Sequence, residues 1–312
     1  MLKVTVENVP AVAYLLRASD VANLSSLSHG MIVPRRPVVD GAVANHYDDL
    51  DRLYREVWGE HVHHGLWRSG RESSGEAVEQ LIEMVAKEAG IKKGDRVCDI
   101  GSGYGASARY VTRHLGATVT AVTIVPAQQA YALATRKSDS DPTYLLSDWL
   151  KIPLPDASFD AAYAIESTEH MEDKAGAFSK AFRVLRPGGR LAVCAWIAGT
   201  KTQSWERRHL LEPICHEGRL PGMGTEEDYR RLFEQAGFAV EAVTDVTRQV
   251  RATWGMCLRR TIKRFRTDKV GRAYFLNAAS RNRVFLFTMF RIWLAYRTGA
   301  MRYLVFRVRR SD

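Results

Sequence analysis

The sequence predicts an α/β fold, a mainly parallel sheet of seven strands with helices on both faces. Three observations carry that expectation. From Gly94 to Val246, short apolar runs alternate strictly with helix-spaced segments, as in a parallel sheet whose crossovers cover both faces. Between the first run and the first helix lies a turn with three glycines, Gly101, Gly103 and Gly105. There the backbone can approach a ligand with no Cβ in the way, at a helix N-terminus. The final run, Met301–Arg310, alternates like a strand and follows a basic, aromatic stretch that reads as inserted helices.

Taken in order, residues 1–44 are a weak extension in which Val9–Leu27 can form one amphipathic helix, broken by Pro34–Pro37. Asn45–Trp67 begins as an amphipathic helix, with Leu50, Leu53, Tyr54, Val57 and Trp58 at helical spacing. It continues through Glu60, His61, His63 and His64. These histidines are too close to converge on one ion and lack an i, i+4 pair, so no metal site is expected. His63, His64 and Gly65 read instead as a lid. Ser74–Ala89 is a helix stopped by Gly90.

Gly94 opens the first strand, around Val97, Cys98 and Ile100. Helix Ser107–Leu115, strand Thr118–Ile124 and helix Ala127–Lys137, opened by Pro126, follow. Strands at Tyr144–Leu146 and Ala157–Glu166 precede helix Lys174–Val184 and strand Gly189–Trp196. Helices Gln203–Glu217 and Thr225–Ala236 then lead to strand Phe238–Val246. Met301–Arg310 would close the sheet as its one antiparallel strand beside six parallel ones. The expected organisation is an extension (1–44), a core (45–250), a basic helical cap (251–300) and the last core strand (301–312).

At 312 residues the chain can bury a full core as one elaborated domain. Cys98, Cys194, Cys215 and Cys257 have no paired or C-x-x-C spacing. Neither a disulfide frame nor a zinc cluster is expected, and a reducing, cytoplasmic setting fits. No basic region leads into a long apolar core at the N-terminus. The most apolar part of the cap, Val284–Phe290, is interrupted by Arg291 and is too short to span a bilayer.

The net charge of +10 is unevenly placed. Arg248 to Asp312 holds 17 Lys/Arg and two acids, leaving 28 basic and 33 acidic residues elsewhere. A basic segment on a mildly acidic body suits an anionic surface or substrate, such as membrane lipid, a diphosphate or nucleic acid. A solvated helical face would look the same.

The glycine turn alone does not choose its cofactor. Gly101, Gly103 and Ala106 satisfy the dinucleotide pattern G-x-G-x-x-A. That reading needs an acid to hold a ribose after the second strand, which ends here at Thr123 and Ile124 with none nearby. Asp99, two residues before Gly101, gives instead D-x-G-x-G-x-G, the spacing of class I S-adenosyl-L-methionine (SAM) methyltransferases.

On that reading Asp99 and the glycines contact the methionine and ribose parts, with Asp99 as a strand cap the structural alternative. Thr123, Ile124 and Gln128 lie by the ribose hydroxyls. Asp148 accepts from the adenine amine, and Trp149 either packs on that ring or belongs to the core. Glu166, Glu169 and His170 follow the fourth strand, where side chains should face the reacting methyl. Glu166 and His170 are the candidate catalytic pair, as base or cation stabiliser. His170 as a helix cap is the competing reading.

Several segments together resemble class I SAM methyltransferases, and more narrowly the γ-tocopherol methyltransferase-like group. They are YDDLDRLYREVWGEHVHHGLW, VCDIGSGYG, VTAVTIVPAQ, FDAAYAIESTEHMEDK, FRVLRPGGRLAVCAW and AYRTGAMRYLVF, covering most of Tyr47–Phe306. The resemblance implies a Rossmann-like fold and SAM on the glycine loop, with Tyr47 among its contacts. It implies a lipophilic acceptor (a prenylated phenol, terpenoid or indole alkaloid) beneath the helical cap, lined by His64, Trp196, Trp254 and Trp293. The chain departs from the group at Val125, where a Ser is usual, and at Trp149, where a small residue is usual.

The sequence therefore predicts a SAM-dependent methyltransferase moving a methyl group to carbon, nitrogen or oxygen of a small lipophilic natural product. It would be cytoplasmic, with peripheral membrane contact through the basic segment. A nucleic-acid-directed enzyme and a membrane-binding protein without activity are the competing classes. Against the first, IESTEHM stands where amine-methylating nucleic-acid enzymes carry N/D-P-P-Y/F, and no RNA-binding module is present.

Overall fold

A computed structural model describes residues 31–34, Arg55, 59–267 and 283–311. The first element, α1 (Ser74–Ala89), starts at a capping box in which Ser73 accepts from Glu76 N and Glu76 returns the bond. It ends at Gly90 in the left-handed conformation. The alternation then runs β1 (Arg96–Ile100), α2 (Ala106–Leu115), β2 (Thr118–Thr123), α3 (Pro126–Ala134), β3 (Thr143–Leu146), β4 (Phe159–Ile165), α4 (Lys174–Val184) and β5 (Leu185–Ala198). A helical stretch with a π turn at Arg207–Leu211 ends in α5 (Glu212–Glu217). After it come α6 (Glu226–Gln235), β6 (Phe238–Asp245), α7 (Thr247–Val250), α8 (Ala252–Thr267), α9 (Arg283–Thr298) and β7 (Met301–Arg310).

The seven strands form one sheet in the order β3-β2-β1-β4-β5-β7-β6. β1 pairs in parallel with β2 and β4, β2 with β3, and β4 with β5. β7 runs antiparallel between β5 and β6. The chain order reverses around β1 and β4, so the crevice for a ligand opens at their carboxyl ends. The turn after β1 is the glycine loop, and Glu166 directly follows β4.

Two apolar layers flank the sheet. One holds Leu81, Val85, Val111, Tyr163, Trp254, Met289 and Tyr303 beneath α1, α2, α8 and α9. The other holds Trp149, Phe178, Tyr229, Phe233 and Phe306 beneath α4 and α6. β5 starts earlier than its apolar run suggests. Arg186, Pro187 and Gly188 join the strand through a register irregularity opposite Phe159–Ala161. The third helix stops at Ala134, short of the Lys137 expected from its pattern.

Among the described residues, the basic segment before β7 includes the helices α8 and α9. Of the extension, Ile32 is buried and makes an antiparallel bridge with Met223. The helices expected over Val9–Leu27 and from Asn45 lie outside the described residues, apart from the helical Arg55. Among the described residues no helix is long and apolar enough to cross a membrane, and no group of three His, Cys, Asp or Glu side chains could hold a metal.

Gly101 has φ +83° and its amide donates to Val122 O at 3.0 Å. A Cβ there would run into the Ser167 side chain. Gly101→Ala should therefore lower stability by about 1–3 kcal/mol, read from denaturant or thermal melting. A variant melting like the parent would show that the loop relaxes freely.

Candidate functional site

Glu166 sits at the end of β4 in the left-handed region, φ +52°, and is buried. Four donors converge on its carboxylate. His64 N, His64 Nδ1 and Tyr303 OH reach Oε1 at 2.7, 2.9 and 2.8 Å, and Trp196 Nε1 reaches Oε2 at 2.9 Å. The β5–β7 register explains two of them, because Trp196 and Tyr303 are direct antiparallel partners and share a face. Burial alone would raise this carboxyl, but the hydrogen bonds from the His64 amide and ring oppose it and hold the group below its ordinary value.

His64 is fixed in turn. Trp254 Nε1 donates to its Nε2 at 2.6 Å, and Tyr296 OH lies 3.2 Å from the same nitrogen. An indole N–H can only donate, so Nε2 accepts and Nδ1 carries the proton given to Glu166. The His64 ring is boxed by Trp196, Trp254, Tyr296 and Tyr303, with centroids 4.9–5.8 Å away. Residues from the lid, β5 and β7 thus meet at one carboxylate, and residues of α8 and α9 hold the His64 that binds it. Thr253 adds a clamp, accepting from Gly65 N at 3.0 Å and from Trp67 Nε1 at 2.9 Å.

This arrangement revises the role expected of Glu166. A carboxylate held below its ordinary value, with both oxygens occupied by donors, is a poor proton acceptor. It can act as a fixed negative charge. His170 closes the turn Thr168–His170 after β4. Burial lowers it to about 4, so it is neutral and also weak as a base.

Glu169 is buried, accepts from Trp196 N at 2.8 Å, and is pushed up to about 8 by burial and by the charge of Glu166. Lys174 Nζ, also buried, donates to the Glu169 and Met171 carbonyls at 3.2 and 2.8 Å.

The glycine loop faces the same crevice. Gly101, Gly103 and Gly105 all have positive φ. A Cβ at Gly105 would meet the Tyr144 ring, while at Gly103 it would meet nothing within 4 Å. Ser102 Oγ is buried with no hydrogen-bond partner among the described residues. Asp99 is buried below the loop, accepts from Tyr163 OH at 3.0 Å, and is raised by burial to about 7. Thr123 donates to Gln128 Oε1 at 2.8 Å.

Ile124 and Leu146 stand 45% exposed at neighbouring strand ends, apolar surface suited to an adenine face. Asp148 is only partly buried there, with Oδ1 accepting from Leu150 N. Together, an open backbone cradle, an unpartnered buried hydroxyl and an apolar slot fit an adenosine-type cofactor. Ser167, next to Glu166, packs on Gly101 and donates to Ile100 O at 2.5 Å, joining the cradle to the aromatic box.

Trp149 takes its alternative role. It is buried in the core with Nε1 donating to Ala177 O at 3.0 Å, because the helix beneath it supplies a partner for its N–H. Trp293 stands apart from the box, stacked on Phe290 at 5.7 Å with Arg297 4.5 Å over its ring. Tyr47 lies outside the described residues. Sequence reasoning missed Tyr296, Tyr303 and Leu146. For Tyr296 and Tyr303 the helix and strand periodicity signalled burial but not convergence.

The lid is anchored to the cofactor side as well. His63 Nε2 lies 3.3 Å from Ser107 Oγ, and Glu60 accepts from Arg109 at 2.5 Å and from Tyr131 OH at 2.9 Å.

The Methyltransferase domain family matches residues 98–193. The tocopherol O-methyltransferase of Arabidopsis thaliana chloroplasts is 32% identical over 238 residues, 70% of this chain and 68% of that one. The 27-O-demethylrifamycin SV methyltransferase of Amycolatopsis mediterranei is 32% identical over 67% of this chain and 77% of its own. The cyclopropane synthase MmaA2 from Mycobacterium tuberculosis shares the fold, with a TM-score of 0.73, 20% identity, and coverage of 86% of this chain and 96% of that one.

The buried carboxyls set a pH dependence. Folded Glu169 keeps its proton to about 8, whereas its ordinary value is 4.5. Asp99 behaves alike between 3.8 and about 7. Across these windows the folded state binds more protons than the unfolded one, so stability falls as pH rises. The melting temperature should drop between pH 5 and 8, and Glu169→Gln should reduce that slope. An unchanged slope in the variant would remove Glu169 as its source.

Proposed function

Because the chain belongs to the class I SAM-dependent methyltransferases, in their tocopherol methyltransferase-like group, SAM is its cofactor, and we propose that its acceptor is a small, lipophilic natural product of the prenylated phenol, terpenoid or indole type. We include in this reading a peripheral contact with membrane through the basic helices. The observation that carries the acceptor class is the aromatic box, in which Trp196, Trp254, Tyr296 and Tyr303 surround His64 and leave few polar groups unspoken for. An apolar, aromatic wall beside the cofactor cradle suits a greasy ring or chain. The named substrates of the relatives, tocopherol and a rifamycin, have that character.

SAM, when bound, supplies an electrophilic methyl on a sulfonium. The chain has to orient a nucleophile in line with it and keep water out. Glu166, held ionised in a dehydrated box, presents negative charge toward a site where a cation is consumed, and its four donors keep it from moving. Neither Glu166 nor His170 is basic enough to take a proton from a phenol or an ammonium. The acceptor should therefore react in a form already nucleophilic: a phenolate, a free amine or an electron-rich carbon. For an ionising acceptor, the pH profile of kcat should follow the acceptor's own titration, with no limb from Glu166 or His170 between pH 5 and 7.

Two measurements test this reading. SAM consumption should occur with prenyl phenols, terpenoid diphosphates or indoles, and consumption with oligonucleotides alone would overturn it. Glu166→Gln should lower turnover on the order of 100-fold while S-adenosylhomocysteine affinity changes less than about threefold. Normal turnover in that variant would take Glu166 out of the chemistry.

A further inference from the structure

The basic segment divides into two parts with different fates. The arginines of β7 are absorbed by the body: Arg302 pairs with Asp245 and Glu226, Arg307 with Glu88 and Glu241, and Arg309 with Glu241. Three cations of α8 are not. Arg259, Lys263 and Arg266 are exposed and have no acidic partner among the described residues. Neither α8 nor α9 contains a single Asp or Glu.

These cations share their face with apolar side chains. On α8, Arg259, Ile262, Lys263 and Arg266 follow i, i+3, i+4, i+7 spacing and form one stripe, with Ile262 43% exposed. The opposite stripe of α8, Trp254, Cys257 and Thr261, is buried. On α9, Phe287 and Phe290 are 62% and 49% exposed and share a stripe with Leu294 and Arg297, while Met289, Ile292 and Tyr296 are buried. The helices touch at Thr261 and Met289, whose neighbours Ile262 and Phe290 belong to the exposed stripes.

We infer that the exposed face of α8 and α9 is a docking surface for an anionic lipid bilayer, with Phe287, Phe290 and Ile262 entering the interface while Arg259, Lys263 and Arg266 meet the headgroups. Large apolar residues beside unpaired cations on helices without acids make an interfacial amphipathic surface. A second copy of the chain is a poor occupant, because a two-fold contact would set these cations against themselves. The buried faces of the same helices carry Trp254 and Tyr296 to His64, so a docked enzyme would hold the acceptor-side box next to the membrane. The purpose of docking rests on the lipophilic acceptor proposed above. The surface itself does not.

The test uses the full chain and vesicles, with no acceptor. Sedimentation with phosphatidylcholine vesicles should leave the protein in the supernatant, and vesicles containing phosphatidylglycerol should pellet it, less so at high salt. Replacing Arg259, Lys263 and Arg266 together by Gln should weaken pelleting roughly 100-fold. Phe287→Ser with Phe290→Ser should abolish it. Both variants should keep the parent's melting temperature and S-adenosylhomocysteine affinity. Equal pelleting by the variants, or none by the parent, would overturn the inference. So would an oligonucleotide bound more tightly than anionic vesicles, or a dimer in light scattering that Phe287→Ser dissolves.

Discussion

A carboxylate removed from water stays charged only where donors replace the lost hydration. Glu166 meets that condition through donors contributed by three separate parts of the chain. His64 arrives on the lid, Trp196 on β5 and Tyr303 on β7, while Trp254 and Tyr296 from the inserted helices fix the His64 tautomer. The lid cannot leave without stranding a buried charge, and the insert cannot shift without releasing His64. The segment carrying His64 and the inserted helices are therefore tied to the same carboxylate network.

The same constraint separates charge from basicity. Glu166 and Glu169 lie three residues apart, and Trp196 serves both, with its indole on one and its backbone amide on the other. Two buried acids this close cannot both ionise at little cost. The one with more hydrogen-bond donors keeps the charge and the other keeps a proton. The outcome is a fixed anion beside a neutral acid, an arrangement for electrostatic positioning rather than proton abstraction. It suits methyl transfer, in which the donor loses its positive charge and the acceptor must be held in line.

Charge is also partitioned on the outside. β7 lies between β5 and β6, and its arginines reach Glu88, Glu226, Glu241 and Asp245 around it, so the strand's cations contribute to the body's own ion pairs. The helices inserted just before β7 have no such acids within their own sequence and present mixed basic and apolar stripes outward. One segment of sequence thus holds both a structural strand and an interaction surface.

The sequence by itself determined the alternation of β1 to β6, the glycine loop with Asp99, the antiparallel β7 and the presence of helices before it. These are local properties: period-2 and period-3.6 patterns, turn residues, and spacing within a single loop. It also placed Glu166, His64, Trp196 and Trp254 in the candidate site. What it could not supply was their mutual arrangement. Whether Glu166 is a base or a fixed anion depends on donors 30, 102 and 137 residues away, and no local pattern encodes those distances. Trp149 and Trp293 show the converse, since an aromatic residue at a strand end or on a helix looks the same whether it meets a ligand, the core or solvent. Only the pairing of β5 with β7 and the folding back of α8 and α9 decided which rings surround the carboxylate, because burial and hydrogen-bond partners are properties of the assembled tertiary structure.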